Sequence, residues 1–185
     1  MSADTRATLF VMPSRGLIIP LLFWVSACSA HLVYHPVPPD GDCLFSAVAL
    51  SVALTDGDAA SSRARAVRTA AARLRADAMD ELCPQGVPDP ELVIGGVPAS
   101  LLVEPLGGET EQNYCSRMRK PGQWGSTAEI LALTRVLKRA IHVHASFGVQ
   151  VYGADETMPA IAVHFKDHHY TAVTGDGATD TKQEL

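Results

Sequence analysis

The apolar residues change period once, near residue 140, and that switch restricts the chain to helices first and strands after. Residues 43–54 are apolar almost throughout, which predicts a helix buried on most sides. Over 59–82 the apolar positions fall at steps of three and four: Ala60, Ala64, Val67, Ala71, Leu74, Ala78 and Leu82. They make one helical face, and the arginines between 63 and 75 are expected on the solvated side. Ser126 and Glu129 have capping-box spacing and open a third helix with Ile130, Leu133 and Leu137 as its stripe. Beyond residue 140 the period is two. Residues 140–145, 148–152, 160–165 and 170–174 read as strands, and Lys166-Asp167-His168 as a hairpin turn. On the first of these strands Ile141 and Val143 alternate with His142 and His144, which puts both histidines on the polar face. Helices followed by strands give an α+β arrangement with a small, mostly antiparallel sheet.

The connecting segments follow from turn chemistry. Pro36, Pro38 and Pro39 keep residues 31–39 extended, and Asp40-Gly41-Asp42 is a turn. Residues 83–108 hold five prolines and several glycines and read as loop with short helical turns. The chain divides into an apolar leader over 1–30, one domain over 31–175 and a polar tail over 176–185. The run at 16–30 resembles the core of a signal peptide, and Val25-Ser26-Ala27-Cys28 resembles a lipoprotein cleavage box. At 15 residues with Pro20 inside, it is short for a membrane span. The expected location is cytoplasmic, with a secretory or membrane-associated protein as the alternative if the leader acts.

Charge and cysteine content narrow the function. The net charge is −5, which argues against nucleic acid as partner. Cys28, Cys43, Cys83 and Cys115 make no CxxC pair and no metal-finger pattern, and four are too few for a disulfide scaffold. Cys83 and Cys115 therefore read as small buried hydrophobes.

Cys43 differs because it follows a glycine-containing turn and starts a helix. The free N–H groups and positive dipole end there favour a thiolate. A flexible Gly41 lets backbone donors approach a developing oxyanion. A general base must come from one of seven histidines, and His168 and His169, opening the last strand, are the best placed. Residue types alone leave that pair unresolved.

Three motif blocks bear on the choice. Asp40-Gly41-Asp42-Cys43-Leu44-Phe45 resembles the D-G-N-C-L-F block of the ovarian-tumour (OTU) family of cysteine proteases. Trp124-Gly125, then Glu129-Ile130-Leu131-Ala132-Leu133 and Ile141-His142-Val143, resembles the family's second block, and His169-Tyr170-Thr171-Ala172-Val173 its closing H-Y-x-x-V. The resemblance implies a papain-like OTU fold and thiol-dependent hydrolysis of isopeptide bonds after the C-terminal Gly-Gly of ubiquitin. It implies Cys43 as nucleophile, His169 as general base and Asp40 as the acidic residue shaping the oxyanion loop. Trp124 and Tyr170 match aromatic positions expected to pack. The implied partner is ubiquitin or polyubiquitin conjugates, and no metal or cofactor is implied. The alternatives are a weakly catalytic ubiquitin-binding domain, or a protease of this fold acting on another protein or a ubiquitin-like modifier. Two positions depart from the family pattern. Asp42 replaces Asn, which opposes a thiolate unless its charge points to solvent. Thr171 stands where many members carry an Asp or Asn that orients the imidazole.

Overall fold

The computed structural model describes residues 31–94, 96–153, 158–175 and 178–179, so the apolar leader and most of the polar tail lie outside the described residues. The elements in chain order are β1 (Val33–His35), α1 (Cys43–Thr55), α2 (Ala64–Leu82), β2 (Val93–Ile94), β3 (Val97–Pro98), α3 (Ala99–Leu102), α4 (Glu111–Met118), α5 (Thr127–Leu137), β4 (Arg139–Ala145), β5 (Gly148–Tyr152), β6 (Met158–Lys166) and β7 (His169–Thr174). The main sheet has five strands in the order β1-β7-β6-β4-β5. Only β4 and β6 run parallel, and the other neighbours are antiparallel. The α+β class and the period switch are thus seen directly.

The helix α1 is the axis of the core. Phe45, Ala47, Val48 and Ser51 are fully buried, as its unbroken apolar composition demands. It packs on α2, β6 and β7. The Ser51 hydroxyl donates to the Ala162 carbonyl at 2.5 Å, so the polar side chain inside the core is satisfied. At the end of α1, Arg139 Nη2 donates to both carboxylate oxygens of Asp56, at 2.8 and 2.9 Å. The α2 helix begins at Ala64, five residues later than its apolar spacing suggests. The Asp58 carboxylate accepts from the Ala60 and Ser61 N–H groups and holds that stretch as a turn. The sequence reading also lacked a helix at α4 and the short β2–β3 hairpin.

One face of the sheet carries Ile141, Val143, Ile161, Val163 and Tyr170 into the core shared with α1, α2 and α5. Register places His144, His164 and Thr171 in one row across the opposite face. This face is not the solvated one expected for the histidines. His142 is 3 % exposed and His144 9 %. His144 Nε2 is 2.7 Å from the Ala178 carbonyl, and Ala178 packs with Ala162 and Val173. The β6–β7 hairpin turns on Asp167 and His168, with Lys166 and His169 as the flanking pair. Both turn residues have positive φ (51° and 61°), the signature of a two-residue type I′ loop.

Cys83 and Cys115 are joined in a disulfide with Cα atoms 6.1 Å apart, which corrects the reading of both as lone hydrophobes. The bond links the residue capping α2 to α4, and both cysteines are fully buried. The enclosed segment displays Val87, Val93, Leu101 and Leu106 to solvent.

Two expectations follow. The bond closes a loop with a sequence separation of 32. Loop-closure entropy then gives a loss of about 3–4 kcal/mol for Cys83→Ala/Cys115→Ala, read from urea denaturation against the wild type. Burial, followed by repulsion from His144, holds the His142 imidazole below its ordinary value, and burial with His144 and Lys166 does the same for His164. Both are neutral in the fold at pH values where the unfolded chain takes up protons. Their effect is absent above about pH 6.5, and stability falls as pH drops below it toward the folded values. Melting temperatures between pH 7.5 and 5.5 should therefore fall more steeply for the wild type than for His142→Gln/His164→Gln.

Candidate active site

The Asp40–Asp42 turn delivers Cys43 as the first residue of α1, 5 % exposed. Asp40 shapes this turn twice. Its carbonyl accepts from the Cys43 N–H at 3.1 Å, and its Oδ1 accepts from the Asp42 N–H at 3.0 Å. The first helical bond runs from the Ser46 N–H to the Asp42 carbonyl at 2.9 Å. Cys43 thus sits at the N-terminal, positive end of a 13-residue helix.

The Asp42 side chain does not cap α1. Its Oδ1 accepts from Arg75 Nε at 3.0 Å, from Arg75 Nη2 at 2.5 Å and from the Gly122 N–H at 3.1 Å. The charge beside Cys43 is therefore neutralised by a cation rather than turned to solvent. Arg75 is itself 3 % exposed, which corrects the expectation that the arginines of α2 all lie on a solvated side. Its Nη2 also donates to the carbonyls of Gly41 (3.0 Å) and Gln123 (2.6 Å), Nη1 donates to the Met118 carbonyl (3.0 Å), and the guanidinium lies 4.2 Å from the Phe45 ring centroid. Gly41 is backed directly by the 122 loop. A Cβ there would lie 1.9 Å from the Gly122 carbonyl oxygen, so no other residue fits.

A cleft of about 440 Å³ opens on Cys43 and is walled by Glu104, Trp124, Phe147, Gln150, Tyr152, His168 and Tyr170, among others. A larger cavity, about 850 Å³, lies between α1, α2 and α5 but contains neither cysteine nor histidine and offers no comparable chemistry. The Trp124 wall is fixed from behind. Glu129, fully buried, accepts from Tyr114 Oη at 2.5 Å, from the Ser126 N–H at 2.7 Å and from Ser126 Oγ at 3.3 Å. Burial pushes the Glu129 carboxyl up, against the downward pull of these hydrogen bonds. The capping box expected at Ser126 and Glu129 is present. Trp124 was expected to pack, yet it is 63 % exposed and stacks on His168 with ring centroids 6.1 Å apart. Tyr170 does pack, against Phe165 at 4.7 Å, and burial raises its phenol well above the ordinary value.

The two adjacent histidines part company. His168 lines the cleft with Cys43. His169 is half-buried, begins β7 and is not among the residues that line the cleft; strand alternation puts it on the same face as Thr171, opposite Tyr170. Thr171 Oγ1 is buried with no hydrogen-bond partner. Asp40 and Cys43 are therefore joined directly, and His169 stands at the strand end next to the cleft turn. Sequence reasoning missed Arg75, Glu104 and the β4–β5 residues Phe147, Gln150 and Tyr152. Among the described residues no cluster of three or more His, Cys, Asp or Glu could hold a metal ion.

The family model for OTU-like cysteine proteases matches residues 38–172, which span the Cys43 turn, the cleft and β7 up to Ala172. The chain belongs to the OTU-like cysteine protease family. The OTU fold is shared with solved structures at low identity. An OTU domain in complex with ubiquitin superposes with a TM-score of 0.55 at 22% identity, covering 80% of this chain and 72% of the other. The OTU protease of Taggert virus gives 0.55 at 17% identity, covering 81% and 83%. An OTU deubiquitinase from Wolbachia pipientis wMel, bound to ubiquitin, gives 0.50 at 14% identity, covering 78% and 96%. No curated protein matches the chain.

The backbone contact in this OTU domain gives a direct test. Gly41→Ala must displace the 122 loop or the Cys43 turn. Thiol-dependent turnover should fall by about 10²-fold, the cost of moving a reacting group by about 1 Å. The rate of Cys43 labelling and the circular dichroism spectrum would be measured together. Near wild-type turnover in a folded variant would show that the close approach does not constrain the turn.

Proposed function

We propose that this OTU domain is a deubiquitinase that hydrolyses isopeptide or peptide bonds at the C-terminal glycine of ubiquitin. The observation that carries the reading is Cys43 at the start of α1, opening onto a cleft between the Trp124 wall and the β6–β7 hairpin. The family membership and the ubiquitin complexes of its structural relatives support ubiquitin as the substrate.

The chemistry needs one proton carrier. The imidazole of His169 takes the Cys43 thiol proton, and the thiolate attacks the carbonyl carbon of the terminal glycine. Negative charge collects on the carbonyl oxygen, where N–H groups of the Asp40–Cys43 turn and the end of α1 stabilise it. Two of those N–H groups are bonded to Asp40 in the free enzyme, so they exchange partners as the oxyanion forms. Collapse breaks the C–N bond, and the imidazolium gives its proton to the departing lysine amine. Water, deprotonated by the same imidazole, then releases ubiquitin from the thioester and restores the thiol.

One observation favours a second assignment of the base: His168, not His169, lines the cleft with Cys43. His169 is supported by the H-Y-x-x-V match, and His168 is already engaged in stacking on Trp124. On location, the Cys83–Cys115 bond supports the secretory alternative, because disulfides persist outside the reducing cytosol. Among the described residues no helix is long and apolar enough to cross a membrane.

A ubiquitin carrying a C-terminal electrophile should attach covalently to Cys43, and Cys43→Ala should abolish both capture and di-ubiquitin cleavage. Binding without capture would support the weakly catalytic alternative, and no binding would point to a different modifier. His169→Ala should lower kcat by about 10²–10⁴-fold, the worth of general-base assistance, while His168→Ala chiefly alters KM. The reverse ranking in folded variants would move the base to His168.

A further inference from the structure

The Arg75 side chain reaches out of α2 to the Cys43 turn and ends with all three guanidinium nitrogens hydrogen-bonded. Its acceptors divide into two groups. Gly41 and Asp42 belong to the turn that carries the nucleophile, whereas Met118 and Gln123 belong to the segment that leads to Trp124. Asp42 Oδ1 makes a second link across the same gap by accepting from the Gly122 N–H. One guanidinium thus sets both the turn that would hold the oxyanion and the wall on which His168 stacks.

Peptide geometry sharpens the point. The Gly41–Asp42 peptide has no cis bond, so its C=O and N–H point in opposite directions. Arg75 Nη2 holds the Gly41 carbonyl, and the Asp42 N–H must then point away from Arg75, where it meets Asp40 Oδ1. The same cation cancels a negative charge on the residue next to Cys43. Among the described residues the other charged or titratable groups around the nucleophile are Asp40 in the turn, Glu104, Tyr152, His168 and Tyr170 in the cleft, and His169 at the start of β7. Among the described residues Arg75 is the cation whose bonds reach the turn directly.

We propose that Arg75 is a positioning residue for catalysis, acting through Asp42 and the Gly41 carbonyl to fix the oxyanion turn and to keep the field at Cys43 from becoming negative. The assignment rests on Cys43 being the nucleophile of the proposed deubiquitinase. A purely structural role would lower stability when Arg75 is lost but leave the chemistry of the folded fraction alone. An electrostatic positioning role makes opposite predictions for the two partners. Arg75→Met strands the Asp42 charge beside the sulfur, whereas Asp42→Asn strands the cation.

The experiment uses the full chain, with carbamidomethylation by iodoacetamide followed at Cys43 by mass spectrometry as a function of pH, and with kcat and KM measured on a ubiquitin C-terminal amide. The pH midpoint of labelling should rise in Arg75→Met, fall in Asp42→Asn and return toward wild type in Asp42→Asn/Arg75→Met. In Arg75→Met, kcat should drop by about 10²-fold with KM within about twofold, as expected for a misplaced reacting group. Arg75→Lys should not rescue kcat, since an ammonium cannot serve three carbonyls and a carboxylate in this fork geometry. If Arg75→Met does not fold, Asp42→Asn still decides: a midpoint that does not fall overturns the assignment. Midpoint shifts of the expected signs in a protein that leaves the ubiquitin substrate intact would remove the deubiquitinase reading and leave the positioning role standing. Unchanged midpoints would overturn the positioning role whatever the substrate result.

Discussion

A buried guanidinium has to find acceptors for its donors or it destabilises the fold, and in this protein the acceptors lie in two segments that border the Cys43 cleft. Transferring an arginine from water into a core costs several kcal/mol unless charge and hydrogen bonds are both answered. Arg75 is answered by one carboxylate and three carbonyls, none of them on its own helix. The requirement runs in both directions. The Asp40–Cys43 turn and the 118–124 segment have little regular structure of their own, and a shared cation gives them a common reference. Glu129 repeats the device on the other side of Trp124, where a buried carboxyl collects donors from Tyr114 and Ser126. The Cys43 turn and the Trp124 wall are irregular backbone set among helices and strands, and two buried polar side chains hold them in place.

Much of this was legible in the residues because it depends on local rules. The unbroken apolar run of α1, the alternation of β4 and the capping box at Ser126 each report an environment through spacing alone. The Asp40–Cys43 block and the H-Y-x-x-V block located the turn and β7 because they are contiguous stretches that carry their own pattern. What escaped was set by partners far away in sequence. Arg75 lies four residues after Ala71 and three before Ala78, inside the apolar stripe. The spacing therefore held the signal, but a charged residue in a stripe reads as a neighbour of the core until its acceptors, 33 to 48 residues away, are known. The disulfide is of the same kind. Nothing local to Cys83 or Cys115 indicates that α2 and α4 bring them within bonding distance.

His142 and His144 teach a related lesson about sheets. Strand alternation correctly separated them from Ile141 and Val143, but it cannot say whether the second face meets water. Chain beyond β7 covers part of it, since Ala178 packs there and its carbonyl meets His144. The pairing of His169 with Lys166 and of Thr171 with His164 shows how the same alternation divides the histidine pair at the hairpin. The positive-φ turn residue His168 goes to the Trp124 side of the cleft, while the strand residue His169 shares a face with Thr171.

The Cys83–Cys115 bond has a consequence for how this scaffold can change over time. It turns the segment between α2 and α4 into a covalent ring whose two feet stand in the core, both fully buried. Lengthening such a ring costs little, because closure entropy grows only with the logarithm of its size. The bond fixes where α4, and through it the Met118 carbonyl that Arg75 holds, stands against α2. The solvent-facing Val87, Val93, Leu101 and Leu106 can then be rewritten, and loop length added beside them, whereas Glu104 on the cleft wall and Tyr114 behind Glu129, both inside the ring, stay tied to the surroundings of Cys43.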